Sequence, residues 1–162
     1  MMGIIDKKCT RLYLARHGAA VPEAENPEKP LSDVGKYETV KVAESLCGFM
    51  VPPDEIWHSA KLRARQTAEI FKELLRVRKC FEKKSLSPND DPLKLMSDLS
   101  KTSKNIMVVS HIPFVERAAC LLLGEEKGLR PVSFDTSSVA CFKKSAGEEK
   151  WSLEWLVTPD VI

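Results

Sequence analysis

Leu12-Tyr13-Leu14-Ala15-Arg16-His17-Gly18-Ala19 is the stretch on which the reading of this chain turns. A short apolar run suits a buried strand, and it delivers an arginine, a histidine and a glycine to the point where that strand ends. The glycine lets the backbone turn tightly directly afterwards. In open α/β sheets, ligands bind beyond the carboxyl ends of the strands, and this reading puts Arg16 and His17 there. A guanidinium beside an imidazole at such a place can hold a phosphate group and attack its phosphorus.

Working outward, a loop rich in proline and acid runs from Val21 to Pro30, and its prolines break regular structure. From Ser32 to Met50, apolar residues recur at Val34, Tyr37, Val40, Ala43, Leu46 and Met50, the spacing of an amphipathic helix. Glu55 to His58 is expected to be a short strand. Ser59 is placed to cap a second helix from Lys61 to about Val77, with Ala64, Thr67, Ala68, Phe71, Leu74 and Leu75 facing inward. Turn chemistry at Pro88 to Pro92 precedes a third helix from Pro92 to Lys101. Ile106-Met107-Val108-Val109 has no alternation, as a central strand covered on both faces requires, within a segment from Asn105 to Ser110. Pro113 can begin the next helix and Gly124 can close it. Ser137 to Lys143 and Trp151 to Val157 read as strands that pair as an antiparallel hairpin.

Helices alternating with strands predict an α/β fold, a three-layer α/β/α sandwich around a mixed, largely parallel sheet. The 162 residues suffice for one ordinary domain spanning 1–162, with a sizeable core. A net charge of +2 argues against nucleic acid and against a membrane surface as partners. The five cysteines (Cys9, Cys47, Cys80, Cys120, Cys141) are odd in number and scattered, which suits reduced thiols better than a disulfide frame or a zinc site. Met1 to Thr10 is short and charged and lacks the apolar centre of a secretory signal, so the expected location is cytoplasmic.

Two further segments repeat the pattern of polar groups directly after a strand. In Ser59-Ala60-Lys61-Leu62-Arg63-Ala64-Arg65-Gln66-Thr67, Arg63 falls in the first turn of a helix, and in Val109-Ser110-His111-Ile112-Pro113, His111 follows the central strand. Parallel strands put these ends on one edge of the sheet, where Arg16, His17, Arg63 and His111 can converge. Such a set suits phosphoryl transfer: the moving group spreads charge over three oxygens, and preorganised cations lower the barrier. Arginines offer planar, permanently charged donors to those oxygens. A neutral histidine can take the phosphoryl group and later yield it to water.

Arg16-His17-Gly18, Ser59…Arg63-Ala64…Gln66-Thr67 and Ser110-His111 together resemble the histidine phosphatase superfamily. The short length, with Lys29-Pro30-Leu31-Ser32…Gly35 and Thr136-Ser137-Ser138-Val139-Ala140, is similar to its SixA-type phosphohistidine phosphatases, which have a phosphoglycerate mutase-like fold. The match runs in order from about Arg11 to about Phe142. The resemblance implies that His17 is the phosphoryl acceptor, that Arg16, Arg63 and His111 complete the phosphate-binding pocket, and that no metal or other cofactor is needed. It implies a phosphorylated protein, such as a phosphotransfer-type domain, or a small phosphorylated molecule as substrate.

The chain departs from the family pattern at two places. Larger members carry a glutamate after the second helix as general acid, whereas Leu86-Ser87-Pro88-Asn89-Asp90-Asp91 has none. An alkoxide leaves badly unless protonated, while an imidazole nitrogen with a pKa of about 6.5 is protonated without a dedicated acid. The absence therefore favours a P–N bond over a phosphoester. Asp90 or Asp91 can substitute as the acid, or serve only as turn and cap residues. Ala60 stands where the family often has proline. Two other functions compete with a phosphohistidine phosphatase: a small-molecule phosphomonoesterase, and a phosphate- or phosphoprotein-binding module that turns nothing over.

Overall fold

The computed structural model describes residues 9–162; the first eight residues of the Met1 to Thr10 segment discussed above lie outside that range. The apolar run beginning at Leu12 lies in β1 (Cys9–Arg16), whose last residue is the arginine of the motif. Leu12, Tyr13, Leu14 and Ala15 are all fully buried, so both faces of this strand are covered. β1 is followed by α1 (Asp33–Cys47), β2 (Glu55–His58), α2 (Leu62–Leu74), β3 (Lys79–Glu82) and α3 (Pro92–Ser100). Then come β4 (Ile106–Ser110), α4 (Phe114–Leu122), β5 (Val139–Ser145) and β6 (Ser152–Val157), with a closing 3-10 turn at Pro159–Val161.

The six strands form one sheet in the order β3-β2-β4-β1-β5-β6. β1, β2, β3 and β4 run parallel, with Leu12 opposite Ile106 and Arg16 opposite Ser110. β5 pairs antiparallel with both β1 and β6, so the sheet is mixed as expected. The pleat of β1 divides the core. Tyr13 and Ala15 pack with Leu46, Phe71 and Val109 beneath α1 and α2, while Leu12 and Leu14 pack with Leu95, Phe114 and Val108 beneath α3 and α4. Helices on both faces cover the central strands, and all four parallel strands end on the same edge.

The structure corrects the sequence reading at three places. α1 does not bury Val34 and Tyr37, which are 60% and 69% exposed; its inward residues are Gly35, Thr39, Val42, Ala43 and Leu46. The cause is a close approach. A Cβ on Gly35 would fall on the carbonyl oxygen of Ala19, so only the bare glycine face of the helix fits against the loop after β1. Gly18 plays the complementary part, for its Cβ would lie 2.8 Å from Thr39 Oγ1 and 2.9 Å from Gly35 O. Ser59 does not cap α2, whose cap position is Lys61 with no side-chain bond. β3 is an additional edge strand that the apolar pattern does not reveal, since its residues are mostly exposed.

Other ends behave as the sequence indicates. Ser32 caps α1, its Oγ accepting from Gly35 N at 3.0 Å. Asp91 caps α3, with Pro92 in the first turn. Gly124, with φ of +67°, follows α4 in the left-handed conformation that glycine tolerates.

Candidate active site

Three chain reversals at the carboxyl edge of the sheet supply the polar groups. β1 ends at Arg16 and passes to His17, whose backbone N donates to Ser110 O at 3.0 Å. β4 ends at Ser110 and passes to His111, whose carbonyl accepts from Val115 N at 3.0 Å as α4 begins. β2 ends at His58, and Arg63 stands in the first turn of α2 beyond it.

Arg63 Nε donates to His17 Nε2 at 3.2 Å, and the rings of His17 and His111 lie 4.9 Å apart between centroids. Arg16 lies on the same edge and donates from Nη1 to Phe134 O at 2.8 Å. The four residues singled out in the sequence are thus neighbours. Their order along the chain is dispersed; the parallel sheet collects them.

His17 is held by both ring nitrogens. Nδ1 lies 2.7 Å from Gly18 O, an acceptor, so Nδ1 carries the proton and donates. Nε2 is then the atom with the lone pair, which accepts the bond from Arg63 Nε. Burial pushes the imidazole pKa down to about 4, the bond to Gly18 O works in the opposite direction, and Arg63, Arg16 and Lys29 add to the lowering. His111 is pushed lower, to about 3, by burial first and then by His17, Arg63, Lys61 and Arg16. Both imidazoles are neutral at ordinary pH. Burial also lowers the pKa of Arg16 and of Arg63, and both remain charged because arginine starts so high.

Arg16 Nε and His111 Nδ1 are buried and have no hydrogen-bond partner among the described residues. Leaving such groups unpaired costs about 1–3 kcal/mol each, and an anion seated at this edge is a partner for a donor at either atom. Among the described residues no three His, Cys, Asp or Glu side chains gather as a metal ion would require. The two aspartates named as substitute acids are not aimed at the histidines by any bond. Asp90 Oδ2 accepts from Ser87 N at 2.8 Å, and Asp91 Oδ1 accepts from Leu93 N at 3.0 Å.

Several residues that hold the site together escape a reading by chemistry alone. Thr67 is fully buried; its Oγ1 donates to Arg63 O at 2.8 Å and accepts from Gly18 N at 3.0 Å, which fastens the turn after His17 to the turn that carries Arg63. Gln66 Oε1 accepts from Leu31 N at 2.7 Å and holds the far end of the proline-rich loop. Ser137 adopts a φ of +63°, rare for a residue with a side chain, and donates its N–H to His17 O at 3.2 Å. Its hydroxyl is bonded to Thr39 Oγ1 at 2.9 Å. The signal for Thr67 and Gln66 lay in the motif itself, four and three residues after Arg63. Ser137 lies in the Thr136-Ser137-Ser138-Val139-Ala140 motif, but its pairing with Thr39, 98 residues away, has no local signal.

The convergent cations can hold an anion, at the place where α/β sheets carry their ligands. Residues 12–86 match the family model of the histidine phosphatase superfamily (branch 1). The structure is similar to the protein histidine phosphatase SixA complexed with tungstate: TM-score 0.80, 25% identity, covering 94% of this chain and 99% of that one. The SixA protein of Agrobacterium tumefaciens is 24% identical, with TM-score 0.76 over 93% of this chain and 98% of its own. A mycobacterial glucosyl-3-phosphoglycerate phosphatase shares the fold at 15% identity, with TM-score 0.68 over 90% and 97% of the two chains. No curated protein matches the chain.

Proposed function

We propose that residues 1–162 form a single histidine phosphatase domain that removes phosphate from phosphohistidine on a protein, through a phosphohistidine enzyme intermediate. The observation that carries this reading is the state of His17: Nδ1 donates to Gly18 O, so Nε2 carries the lone pair, which accepts from Arg63 Nε and becomes available for attack when the guanidinium turns to the phosphoryl oxygens. Arg16 and Arg63 hold the phosphoryl oxygens and His111 donates to one of them. His17 Nε2 attacks phosphorus in line as the P–N bond to the substrate imidazole breaks, and the released nitrogen takes a proton from solvent. Water then attacks the phosphorus on His17, losing a proton as inorganic phosphate leaves. The reaction calls on no metal or other cofactor.

The choice of a P–N substrate rests on the leaving group. Asp90 and Asp91 have their carboxylates bonded to backbone amides, so neither is poised to protonate an alkoxide. A phosphotransfer-type domain in the cytoplasm is the partner this chemistry suits. Among the described residues no helix is long and apolar enough to cross a membrane.

A phosphomonoesterase is the second reading. The loop bearing Asp90 and Asp91 is tied to the end of β4, Ser110 Oγ donating to Leu86 O at 2.6 Å beside His111. A pure binding module would use the arginines and need no nucleophile, which the tautomer of His17 argues against. Phosphate release from a phosphohistidine-bearing phosphotransfer domain and from p-nitrophenyl phosphate, for wild type and His17→Ala, separates the three. Rapid release from the protein, slow release from the ester and silence in the variant are expected. Preference for the ester would move the protein to the second reading, and release from neither, with retained binding, to the third.

A further inference from the structure

Ser59 stands between β2 and α2 and is 1% exposed. Its position invites the role of helix cap, yet its contact with Lys61 N is stretched to 3.5 Å, whereas its hydroxyl lies 2.8 Å from His111 Nε2. An imidazole has two nitrogens. With Nε2 against Ser59, Nδ1 is the nitrogen left to meet a phosphoryl group, and Nδ1 is the buried atom with no protein partner. Phosphoryl oxygens accept hydrogen bonds, so Nδ1 must bring a proton to them. In a neutral imidazole a proton on Nδ1 leaves a lone pair on Nε2, and Ser59 must then be the donor. The serine hydroxyl has one proton for that bond and lone pairs to spare for Lys61 N.

We propose that Ser59 is a positioning residue: its hydroxyl donates to His111 Nε2 and locks His111 in the Nδ1–H tautomer that faces the transferring phosphoryl group. The role rests on the phosphoryl-transfer reading of the site given above. Its logic is that of the partners that orient metal-bound histidines, where the bond at one ring nitrogen decides what the other can do. The neutral state this requires agrees with the surroundings of His111, where burial and the nearby His17, Arg63, Lys61 and Arg16 all disfavour a second proton.

Long-range proton–nitrogen correlation NMR on the full 15N-labelled chain reads the tautomer directly. His58→Gln and His111→Gln variants assign the signals of the three histidines. In the wild type, with inorganic phosphate as probe, His111 should show a pyrrole-type Nδ1 and a pyridine-type Nε2. In Ser59→Ala the proton should redistribute toward Nε2, and kcat/KM on the phosphohistidine substrate should fall by about 10-fold to 100-fold. Ser59→Thr, which keeps the hydroxyl, should restore both.

A wild-type His111 protonated on Nε2 would overturn the proposal, as would an unchanged Nδ1–H signal in Ser59→Ala. The spectra need no turnover. A wild-type protein inert toward phosphohistidine would therefore bring down the proposed function, while the tautomer still decides the part played by Ser59.

Discussion

At the scale of single residues, the imidazole of His17, the proposed nucleophile, meets two demands that compete. A nucleophile must be unprotonated, yet the site must also be strongly cationic to hold phosphate. Burial and the neighbouring guanidiniums settle this in the same direction, keeping the ring neutral down to about pH 4. The acid limb of kcat/KM should accordingly fall near pH 4 for this group and show no step at the usual histidine value of about 6.5. An NMR titration of the wild type that places the His17 midpoint near about 6.5 would contradict this placement.

Stability follows from the same shifts. The unfolded chain binds protons at His17 and His111 as pH falls below about 6.5, whereas the folded chain resists until about 4 and about 3 respectively. In that window the unfolded state holds more protons, so the folding free energy contributed by these two groups is lost as pH falls from about 6.5 toward 3. Urea midpoints measured between pH 7 and pH 4 should decline, and less steeply in a His17→Ala variant. For Arg63→Ala we expect a loss on the order of 3 kcal/mol of transition-state stabilisation, about a hundredfold in kcat/KM, comparable to removing one oxyanion donor. The same change should raise the pKa of His17, since Arg63 lowers it.

The four proposed site residues were legible in the sequence because Arg16 ends an apolar strand, His17 and His111 directly follow one, and Arg63 stands in the first turn of the helix after β2. Ser59 was legible as a residue but not as a role: serine two or three places before an apolar helical pattern is the mark of a cap. What overrode it was His111, a partner 52 residues away that no local pattern announces.

At the scale of elements, α1 shows why apolar spacing alone misjudged a face. Val34 and Tyr37 fit a helical stripe, but contact with β1's following loop selects the stripe that contains Gly35 and Thr39. The distinction can be measured by thermal denaturation. Val34→Ser and Tyr37→Ser should change stability by no more than about 0.5 kcal/mol, whereas Leu46→Ala, fully buried on the opposite stripe, should cost about 2–5 kcal/mol. Gly35→Ala should lower Tm too, because the added methyl meets the backbone of Ala19 rather than a yielding side chain. A Tm drop for Tyr37→Ser as large as that for Leu46→Ala would mean the helix is turned the other way.

β3 failed to announce itself for a different reason. Lys79, Phe81 and Glu82 are exposed on an edge, so neither alternation nor a continuous apolar run develops over its four residues. Pairing with β2 defines it, and pairing is a non-local property. The central strands β1 and β4 carry their own signatures because burial on both faces is written into consecutive residues.

At the scale of the whole molecule, the sheet grades from its centre outward. β1 and β4 have strand neighbours on both sides, whereas β3 and β6 close the two edges. Amide hydrogen exchange should be slowest in β1 and β4 and measurably faster in β3 and β6. The proposed nucleophile, His17, would then follow the strand that opens least, which suits a reaction governed by fixed geometry. Uniform protection across all six strands would instead indicate that the sheet opens as one unit.

The central placement of β1 also has a consequence for how the protein is made. Of the described strands it emerges from the ribosome first, yet Ile106, which lies opposite its Leu12, is synthesised 94 residues later, and the β5 residue opposite Ala15 is Val139. At about 5–20 residues per second, β1 spends on the order of 5 to 20 seconds without either neighbour. During that interval it is an apolar segment with unpaired edges, the form of chain that chaperones bind. The proposed reactive centre has its supporting strands only after β5 has been translated, so a chain terminated before Val139 should lack activity.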